Sequence, residues 1–352
     1  MHVPDGFLDL PTSIATGAIA LGAVVLAGQR SRHELRAAGI PLAGLTAVFV
    51  FAAQMVNFPV GLGTSGHLMG GALAAVLVGP WTAMLCLTVV LGVQAVFFAD
   101  GGLTALGTNI VLIAVVSVVV GYAVAKALTR LLPRRPRSAV PAAAAGAFIS
   151  VPAAALVFVV LYAIGGATPI PLTALAGAML GWHVLIGIGE AVITAAVVGA
   201  VVATRPDLVY LVRHVRPALV MVTSEDGQQV VSPAPTSPFL TSTAPTSTAP
   251  ASNRAWAAMA LAVCLVIASG VSLLASAHPD GLEFVAAGLG FEGAALDPAT
   301  AGWPTADYVI AGLGDWSTAL AGVLGVALVG LISWGLLALL ARQRAPLEQP
   351  RT

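Results

Sequence analysis

The sequence predicts an all-α integral membrane protein: a seven-span bundle followed by a two-span hairpin, with the N-terminus outside. Three observations predict this class. Of the 352 residues, 58% are hydrophobic and 9% are charged, whereas roughly a quarter of the residues of a soluble protein are charged. Apolar runs recur that approach the ~20 residues a helix needs to cross a bilayer. Several of these runs are separated by clusters of arginine.

The apolar runs predict nine membrane spans in chain order. The third run is short, and the others are close to the length of a bilayer crossing. The predicted spans lie near residues 11–28, 40–58, 67–79, 81–99, 103–127, 139–164, 172–203, 255–276 and 317–340.

The arginine clusters predict the orientation. They lie at 30–36, 128–137, 205–216 and 341–344, and positively charged joints are typical of the cytoplasmic side. Alternating spans put all four clusters on that side if the N-terminus is outside. The opposite joints contain no Arg or Lys; they are 59–66, 99–102, 165–171 and 277–316.

A Pro, Ser and Thr-rich tract divides the chain into two modules. Residues 218–253 have no apolar period, and such a composition cannot bury enough surface to offset the entropy of ordering. We therefore predict a seven-span metal-binding module over 1–217, a flexible cytoplasmic linker over 218–253, and a two-span module over 254–345.

Charge and composition exclude several functions. Basic and acidic residues balance at 15 each, and Lys126 is the only lysine. No polybasic surface for nucleic acid exists, and no GK[ST] phosphate loop can be drawn. The chain is thus not expected to be an enzyme that hydrolyses ATP. Cys86 and Cys264 lie inside apolar runs, where a small buried side chain is the plainer interpretation.

The chain begins MHVPDG, and His2 gives this opening its chemistry. The terminal amine, the His2 amide nitrogen and the imidazole Nδ1 can close two adjacent chelate rings around one metal in a single plane. Displacing an amide proton requires a metal that favours planar nitrogen donors, which indicates Ni²⁺ or Cu²⁺, with Co²⁺ also possible. Pro4 and the Asp5-Gly6 pair favour a tight turn that would fold the terminus back toward the bundle.

His67 is the candidate for the fourth nitrogen. It follows the loop PVGLGTSG, and the predicted topology puts that loop on the same outer face as Met1 and His2. The plainer alternatives, a second-position histidine present by chance and a solvated loop histidine, stay open at this point.

Polar residues near the same face are candidates for an outer shell around the imidazoles. A ligating imidazole normally donates its second N–H to an acceptor, and polar groups inside spans usually pair or serve function. The candidates are Asn57, Ser65, Gln94 and Asn109; helix-to-helix hydrogen bonding is their alternative role. His183 and Glu190 lie seven residues apart on one face of the predicted seventh span. They fit a proton or cation path as well as a structural pair.

Three stretches resemble a known family. MHVPDG, AQMVNFPVGLGTSGHLMGGALAAVLVGPW at 53–81 and VQAVFFADGGLTALGTN at 93–109 are similar to the substrate-binding membrane component of energy-coupling factor transporters for nickel and cobalt, the CbiM/NikM family. The resemblance covers about 1–203. It implies that the metal is held by the amine of Met1, the backbone nitrogen and imidazole of His2, and the imidazole of His67.

The second module also carries a resemblance. HPDGLEFVA at 278–286 is similar to the PDGLE domain, the NikN/CbiN-like partner that is often fused to these proteins. The resemblance implies that this outer loop assists metal loading, with His278, Asp280 and Glu283 as candidates. An acidic pair at this spacing equally predicts a capped helix start.

The two resemblances imply a metal importer component in the plasma (inner) membrane. Ni²⁺, with Co²⁺ second, would be transported substrate rather than cofactor, and energy would come from separate ATP-binding subunits acting through a transmembrane coupling protein. The lipid bilayer is the remaining partner, and no nucleic acid is expected.

Two other functions are compatible with parts of the sequence. GTSG at 63–66 fits the pattern of rhomboid-like intramembrane serine proteases, with Ser65 as nucleophile and His183 as base. That interpretation leaves MHVPDG and the PDGLE segment unexplained. A membrane scaffold or channel without metal chemistry is also compatible with spans that contain few polar residues.

Overall fold

A computed structural model describes residues 1–213, 219–223, 229–233, 253–314 and 316–342. In this part of the chain the protein is mostly helical. The helices are α1 Leu10–Ala38, α2 Ile40–Gln54, α3 Gly71–Val78, α4 Pro80–Phe97, α5 Leu106–Asn109, α6 Ser117–Leu131, α7 Ala139–Gly165, α8 Leu172–Thr204, α9 Asn253–Ser269, α10 Gly281–Leu289 and α11 Trp316–Arg342; a π-helical segment, Ile110–Val116, joins α5 to α6. The strands are β1 Phe58–Gly61, β2 Thr64–Gly66, β3 Leu219–Thr223 and β4 Gln229–Pro233.

Seven helical segments within the described ranges are long and apolar enough to cross a membrane. They are Leu10–Leu35, Pro80–Phe97, Leu106–Leu131, Pro136–Gly165, Leu172–Thr204, Arg254–Leu274 and Trp316–Arg342. The prediction of a helical, multi-pass membrane protein is therefore confirmed.

The second and third predicted spans are shorter than a crossing. In place of 40–58 the structure has α2, with 15 residues, and in place of 67–79 it has α3, with 8. All eight residues of α3 are buried. Irregular backbone is tolerated at membrane depth where protein surrounds it. Neighbouring helices surround this region, so the nearly continuous apolar run over 40–79 can contain non-helical chain between α2 and α3.

The chain between α2 and α3 forms a small antiparallel hairpin that the sequence did not reveal. Strand β1 pairs with β2, opposing Phe58 to Gly66 and Pro59 to Ser65. Both strands are short and rich in glycine, so they carry no alternating pattern long enough to predict a strand. The hairpin sets the position of His67, which follows β2 directly.

The second module packs its two long helices on the first. Helices α9 and α11 contact each other and α2. A Cβ added to Gly322 of α11 would lie 2.2 Å from the carbonyl oxygen of Ala268 in α9. Small residues of this kind allow the close helix approach that drives association in membranes.

The loop between α9 and α11, residues 270–314, here called the outer loop, covers the C-terminal ends of α2 and α4 and the β hairpin. Ser276 N donates to Asn57 O at 2.8 Å, and Asp307 N donates to Phe98 O at 2.8 Å. Thr300 Oγ1 donates to Ala95 O at 2.9 Å. Helix α10 lies within this loop and contacts α8.

Two strands lie inside the segment predicted as the linker. Strand β3 pairs with β4 in register, from Leu219 opposite Pro233 to Thr223 opposite Gln229. The prediction for 218–253 missed them, although LVMVT and QVVSP are rich in the β-branched residues that strands favour. The rest of the predicted linker lies outside the described residues.

Candidate metal centre

The N-terminal segment is buried inside the protein. Met1 is 4%, Val3 0% and Phe7 2% exposed. Val3 N donates to Asn109 Oδ1 at 2.7 Å, and Asn109 Nδ2 donates back to Val3 O at 3.0 Å. Because buried backbone groups need partners, this reciprocal pair fixes the main chain immediately after His2.

Asp5 clamps the segment to the loop between α4 and α5. Its carboxylate accepts hydrogen bonds from Leu103 N at 3.1 Å, Thr104 N at 2.8 Å, Thr104 Oγ1 at 2.6 Å and Ala105 N at 3.1 Å. A Cβ added to Gly102 would lie 2.1 Å from Asp5 Oδ1, so only glycine lets the backbone come this close. The clamp holds Met1 and His2 at a fixed depth.

Glu190 of α8 orients the loop that carries His67. Its carboxylate accepts from Met69 N at 2.8 Å and from Gly70 N at 3.0 Å, immediately before α3 begins. A carboxylate at a helix N-terminus is favoured by the unpaired N–H groups there. Glu190 therefore fixes the backbone two residues beyond His67.

The Met1 amine lies between His67 and Asp280. It donates to Nε2 of His67 and is 2.7 Å from Oδ2 of Asp280. His67 Nδ1 is 3.1 Å from the Leu68 carbonyl oxygen, which assigns the proton to Nδ1 and leaves the Nε2 lone pair facing the amine. An unprotonated imidazole nitrogen is the form that binds metal.

The rings of His2 and His67 are stacked. Their centroids are 4.9 Å apart and their planes differ by 8°. His2 Nδ1 is 3.0 Å from Asp100 Oδ1, and His2 Nε2 has no hydrogen-bond partner. Two nearly parallel imidazoles and a terminal amine thus meet at one buried point.

Asp100 links His2 to the second module. Tyr308 donates its hydroxyl to Asp100 Oδ2 at 2.7 Å, while Oδ1 faces the His2 imidazole. Burial by itself would raise the pKa of Asp100, but the facing His2 and the Tyr308 hydroxyl outweigh it and lower that pKa. Asp100 is therefore an ionised acceptor for the imidazole.

Burial and the charge of the Met1 ammonium shift the pKa values of Asp280 and His67. Burial would raise the pKa of Asp280, but the Met1 ammonium and His67 hold it well below its usual range. Burial and the same ammonium lower the pKa of the His67 imidazole. The centre thus contains an ionised carboxylate and a neutral imidazole.

A cavity of about 330 Å³ opens beside this point, and its lining includes His2, His67, Asp100, Asp280 and Glu283. Within the described part of the chain, no group of three or more His, Cys, Asp or Glu side chains is placed to hold a metal ion.

The other sequence-derived candidates occupy varied positions. Asn57 lines the cavity, and Ser65 Oγ donates to His278 O at 2.7 Å, which joins the two modules. Gln94 is fully buried, and neither atom of its amide is hydrogen-bonded. None of the four predicted outer-shell side chains hydrogen-bonds the His2 or His67 ring. Among the loading candidates, Asp280 reaches the amine, Glu283 lines the cavity and His278 is exposed.

Neither the His183–Glu190 pair predicted on α8 nor the Ser65–His183 pair of the protease alternative forms a hydrogen bond. His183 Nδ1 is 2.8 Å from the Met179 carbonyl oxygen, and Glu190 binds the α3 terminus instead of His183. Ser65 donates to the outer loop and not to His183. A Ser–His nucleophile pair is therefore absent at these residues.

Asp5, Asp100 and Tyr308 contact the site, and none of them is among the outer-shell residues predicted from the sequence. Asp5 and Asp100 lie within stretches that resemble the family, Asp5 in MHVPDG and Asp100 in VQAVFFADGGLTALGTN. Their place in those stretches was a signal that could have identified them as site residues. Tyr308 lies in an outer loop without a periodic pattern, and nothing in the sequence linked it to His2.

A buried centre of amine and imidazoles within a bundle of apolar helices defines a class, the metal-handling membrane component of a transporter. The family model described as "Cobalt uptake substrate-specific transmembrane region" matches residues 2–208, and the PDGLE domain model matches residues 254–342. The chain belongs to the CbiM family and contains a PDGLE domain. It is a multi-pass membrane transport component and not an enzyme.

Known relatives and a solved structure agree with this assignment. The chain is 41% identical over 210 residues to the "Putative fused nickel transport protein NikMN" of Archaeoglobus fulgidus, covering 59% of this chain and 68% of the relative. It is 40% identical over 125 residues to the "Cobalt transport protein CbiM" of Sorangium cellulosum, covering 35% and 56%. A structure titled "Crystal Structure of an Truncated Transition metal Transporter" superposes with a TM-score of 0.52 at 30% identity, covering 58% of this chain and 99% of that one.

Proposed function

We propose that the chain is the substrate-binding component of an energy-coupling factor importer for a transition-metal cation, with Ni²⁺ preferred and Co²⁺ second. The cation would bind in a planar site of four nitrogens. These are the Met1 amine, the His2 amide nitrogen, His2 Nδ1 and His67 Nε2. The observation that carries the proposal is the contact between the buried Met1 amine and the unprotonated Nε2 of His67.

The contact joins two nitrogens that the proposed site makes neighbouring ligands. Metal–nitrogen bonds of about 2 Å place adjacent corners of a planar site roughly 3 Å apart, so two nitrogens in hydrogen-bonding contact can bind one ion with a small movement. The metal would replace the proton that the amine donates to His67 Nε2. Binding must displace protons from the amine and the amide, so affinity falls as the pH falls.

His2 must change its partner when the metal binds. Its Nδ1 faces Asp100 at 3.0 Å, and chelation replaces this contact with a bond to the metal. Nε2, which is without a partner, would then carry the ring proton and would need an acceptor such as Asp100. Carboxylates that accept from a ligating imidazole in this way fix its tautomer and strengthen it as a ligand.

The preference for nickel rests on coordination chemistry. Planar nitrogen ligation with a displaced amide proton suits Ni²⁺ better than Co²⁺. Relatives carry names for either ion: the Archaeoglobus fulgidus protein is named for nickel and the Sorangium cellulosum protein for cobalt. Both ions are therefore candidate substrates of one ligand set.

The remaining parts of the proposal concern assembly. The N-terminus lies outside, residues 1–217 form the metal-binding module, 218–253 the cytoplasmic linker and 254–345 the two-span module. Two cytoplasmic ATP-binding subunits and a transmembrane coupling protein drive release to the cytoplasm across the plasma (inner) membrane. The outer loop with His278, Asp280 and Glu283 helps to load the metal, and Asn57, Ser65, Gln94 and Asn109 support the ligands at longer range.

Uptake by reconstituted vesicles tests the partnership. We expect the native chain, co-reconstituted with its ATPase and coupling subunits, to accumulate radioactive Ni²⁺ only with ATP on the cytoplasmic side. Replacing the phosphate-loop lysine of the ATPase should abolish uptake while leaving Ni²⁺ bound to the chain. Uptake of equal rate by the chain alone would contradict the proposed energy coupling.

A further inference from the structure

The two carboxylate oxygens of Asp280 have separate partners. Oδ1 accepts from Leu282 N at 2.7 Å and from Glu283 N at 3.0 Å, which caps the start of α10. Oδ2 is 2.7 Å from the Met1 amine and 3.7 Å from His67 Nε2. One side chain of the second module therefore begins a helix in its own loop and places a negative charge in the metal centre of the first module.

The loop is fixed in this position by several contacts. Ser65 N donates to Pro279 O at 2.9 Å, and Ser65 Oγ donates to His278 O at 2.7 Å. The same outer loop also contacts the N-terminal segment, because Leu296 N donates to Asp5 O at 2.8 Å. The loop that carries Asp280 is consequently tied by backbone hydrogen bonds to the β hairpin and to the N-terminal segment, and Asp280 itself is 8% exposed.

The charge at the amine is the same before and after metal binding. Without metal, the ammonium contributes one positive charge. In the proposed chelate the divalent ion contributes two positive charges, the amine is neutral and the amide nitrogen carries one negative charge, so the sum is again one positive charge. Two protons leave as the ion binds, one from the amine and one from the amide.

We propose that Asp280 is the counter-ion of the substrate site in both its free and its loaded state. This inference rests on the proposed four-nitrogen function and adds a positioning residue from the second module. A buried charge without a partner is strongly unfavourable. The carboxylate keeps the ammonium seated before metal arrives and compensates the cationic chelate afterwards.

The same balance contributes to selectivity. A divalent ion that does not displace the amide proton leaves the site with two positive charges opposite one carboxylate. Such an ion, Mg²⁺ or Ca²⁺ for example, also prefers oxygen ligands. Asp280 thus favours ions that can take the amide nitrogen as a ligand.

Asparagine at position 280 separates the two roles. Asn caps helices about as well as Asp, so Asp280→Asn keeps an oxygen for Leu282 N and Glu283 N. At the Met1 amine it replaces the anionic acceptor Oδ2 with a neutral NH2 group, which removes the counter-charge. Asp280→Ala removes both, and Asp280→Glu restores the charge. Glu292→Gln is the matched control, because Glu292 is an exposed acid of the same outer loop.

Two measurements on the full chain with its native N-terminus test the counter-ion. The first is the Ni²⁺ dissociation constant of the purified protein by equilibrium dialysis. The second is the rate at which an acylating reagent modifies the Met1 amine of the metal-free protein, measured by mass spectrometry. Lys126 is the chain's only lysine and is exposed, so its acylation is an internal reference for reagent activity.

We expect Asp280→Asn to weaken Ni²⁺ binding by about 10–100-fold, the range typical of groups that support metal ligands. The Met1 amine should be acylated several times faster relative to Lys126, because the ammonium can leave the site for solvent. Asp280→Glu should recover part of both properties, and Glu292→Gln should match the native protein.

The possible failures are distinguishable. If the native protein binds Ni²⁺ and Asp280→Asn binds it equally well with the same amine acylation rate, the counter-ion role is wrong while the four-nitrogen site stands. If Asp280→Asn and Asp280→Ala lose binding together with thermal stability, and Asp280→Glu does not recover it, the residue is only a helix cap. If the native protein itself does not bind Ni²⁺, the proposed function fails and the counter-ion role fails with it.

Discussion

Replacing His67 with alanine is expected to remove metal binding almost completely. His67 supplies the only side-chain nitrogen from outside the N-terminal segment in the proposed site, and its Nε2 faces the Met1 amine. Loss of a ligand should weaken Ni²⁺ affinity by more than the roughly 10–100-fold expected for a supporting residue. Metal content after gel filtration and equilibrium dialysis both measure this.

The matched control for His67→Ala is His33→Ala. His33 is exposed and follows Arg30 and Arg32 in α1, far along the helix from the N-terminal site, so its removal should leave Ni²⁺ affinity unchanged. If His67→Ala retained Ni²⁺ with native affinity, the fourth nitrogen would have to come from another residue.

Replacing Asp5 with alanine is expected to have the second largest effect. It would leave Leu103 N, Thr104 N and Ala105 N without their present acceptor. The bond from Ala105 N is buried and the other two are partly buried, and a buried donor without a partner costs about 1–3 kcal/mol. We expect a loss of roughly 3 kcal/mol in stability, together with loss of bound Ni²⁺, because the segment that carries Met1 and His2 would no longer be seated. Thermal unfolding in detergent and metal content measure the two effects.

Two variants make the Asp5 prediction specific. Asp5→Asn keeps an oxygen for three of the four hydrogen bonds, which all end on Oδ1, so it should retain most stability and metal. Asp9→Ala removes the exposed N-cap of α1, whose carboxylate accepts from Thr12 N at 2.8 Å. It should lose some stability with the missing cap and keep its metal. Equal metal loss in Asp5→Ala and Asp9→Ala would indicate a general effect on α1 instead of a clamp on the terminus.

Much of this architecture was accessible from the sequence because it follows from local chemistry. Long apolar helices are dictated by composition, and their bounds are close to the predicted spans in α4, α7, α8 and α11. The proximity of Met1, His2 and His67 followed from alternating topology together with motif resemblance. What failed was the description of 40–79 as two spans, since burial by neighbouring helices permits a β hairpin and a loop within an apolar run.

The contacts between modules could not have been derived from the sequence. Asp280 predicts a helix cap, and the structure contains that cap, but one of its oxygens also reaches a residue 279 positions earlier in the chain. The contact from Tyr308 through Asp100 to His2 is similarly long-range. Such pairs depend on how the outer loop folds over the bundle, and no local pattern encodes that.

The proposed site depends on the chain's own amine as a metal ligand, and an N-terminal extension tests this dependence. Purified protein is incubated with equal Ni²⁺ and Co²⁺ beside a form that carries one extra residue before Met1, and metal content and visible spectrum are recorded. The addition displaces the amine from the chelate and leaves every side chain unchanged. The native form should retain about one ion, mainly Ni²⁺, with the spectrum of a planar low-spin complex. The extended form should lose this ion. Equal binding by both forms, or binding by neither, would contradict it.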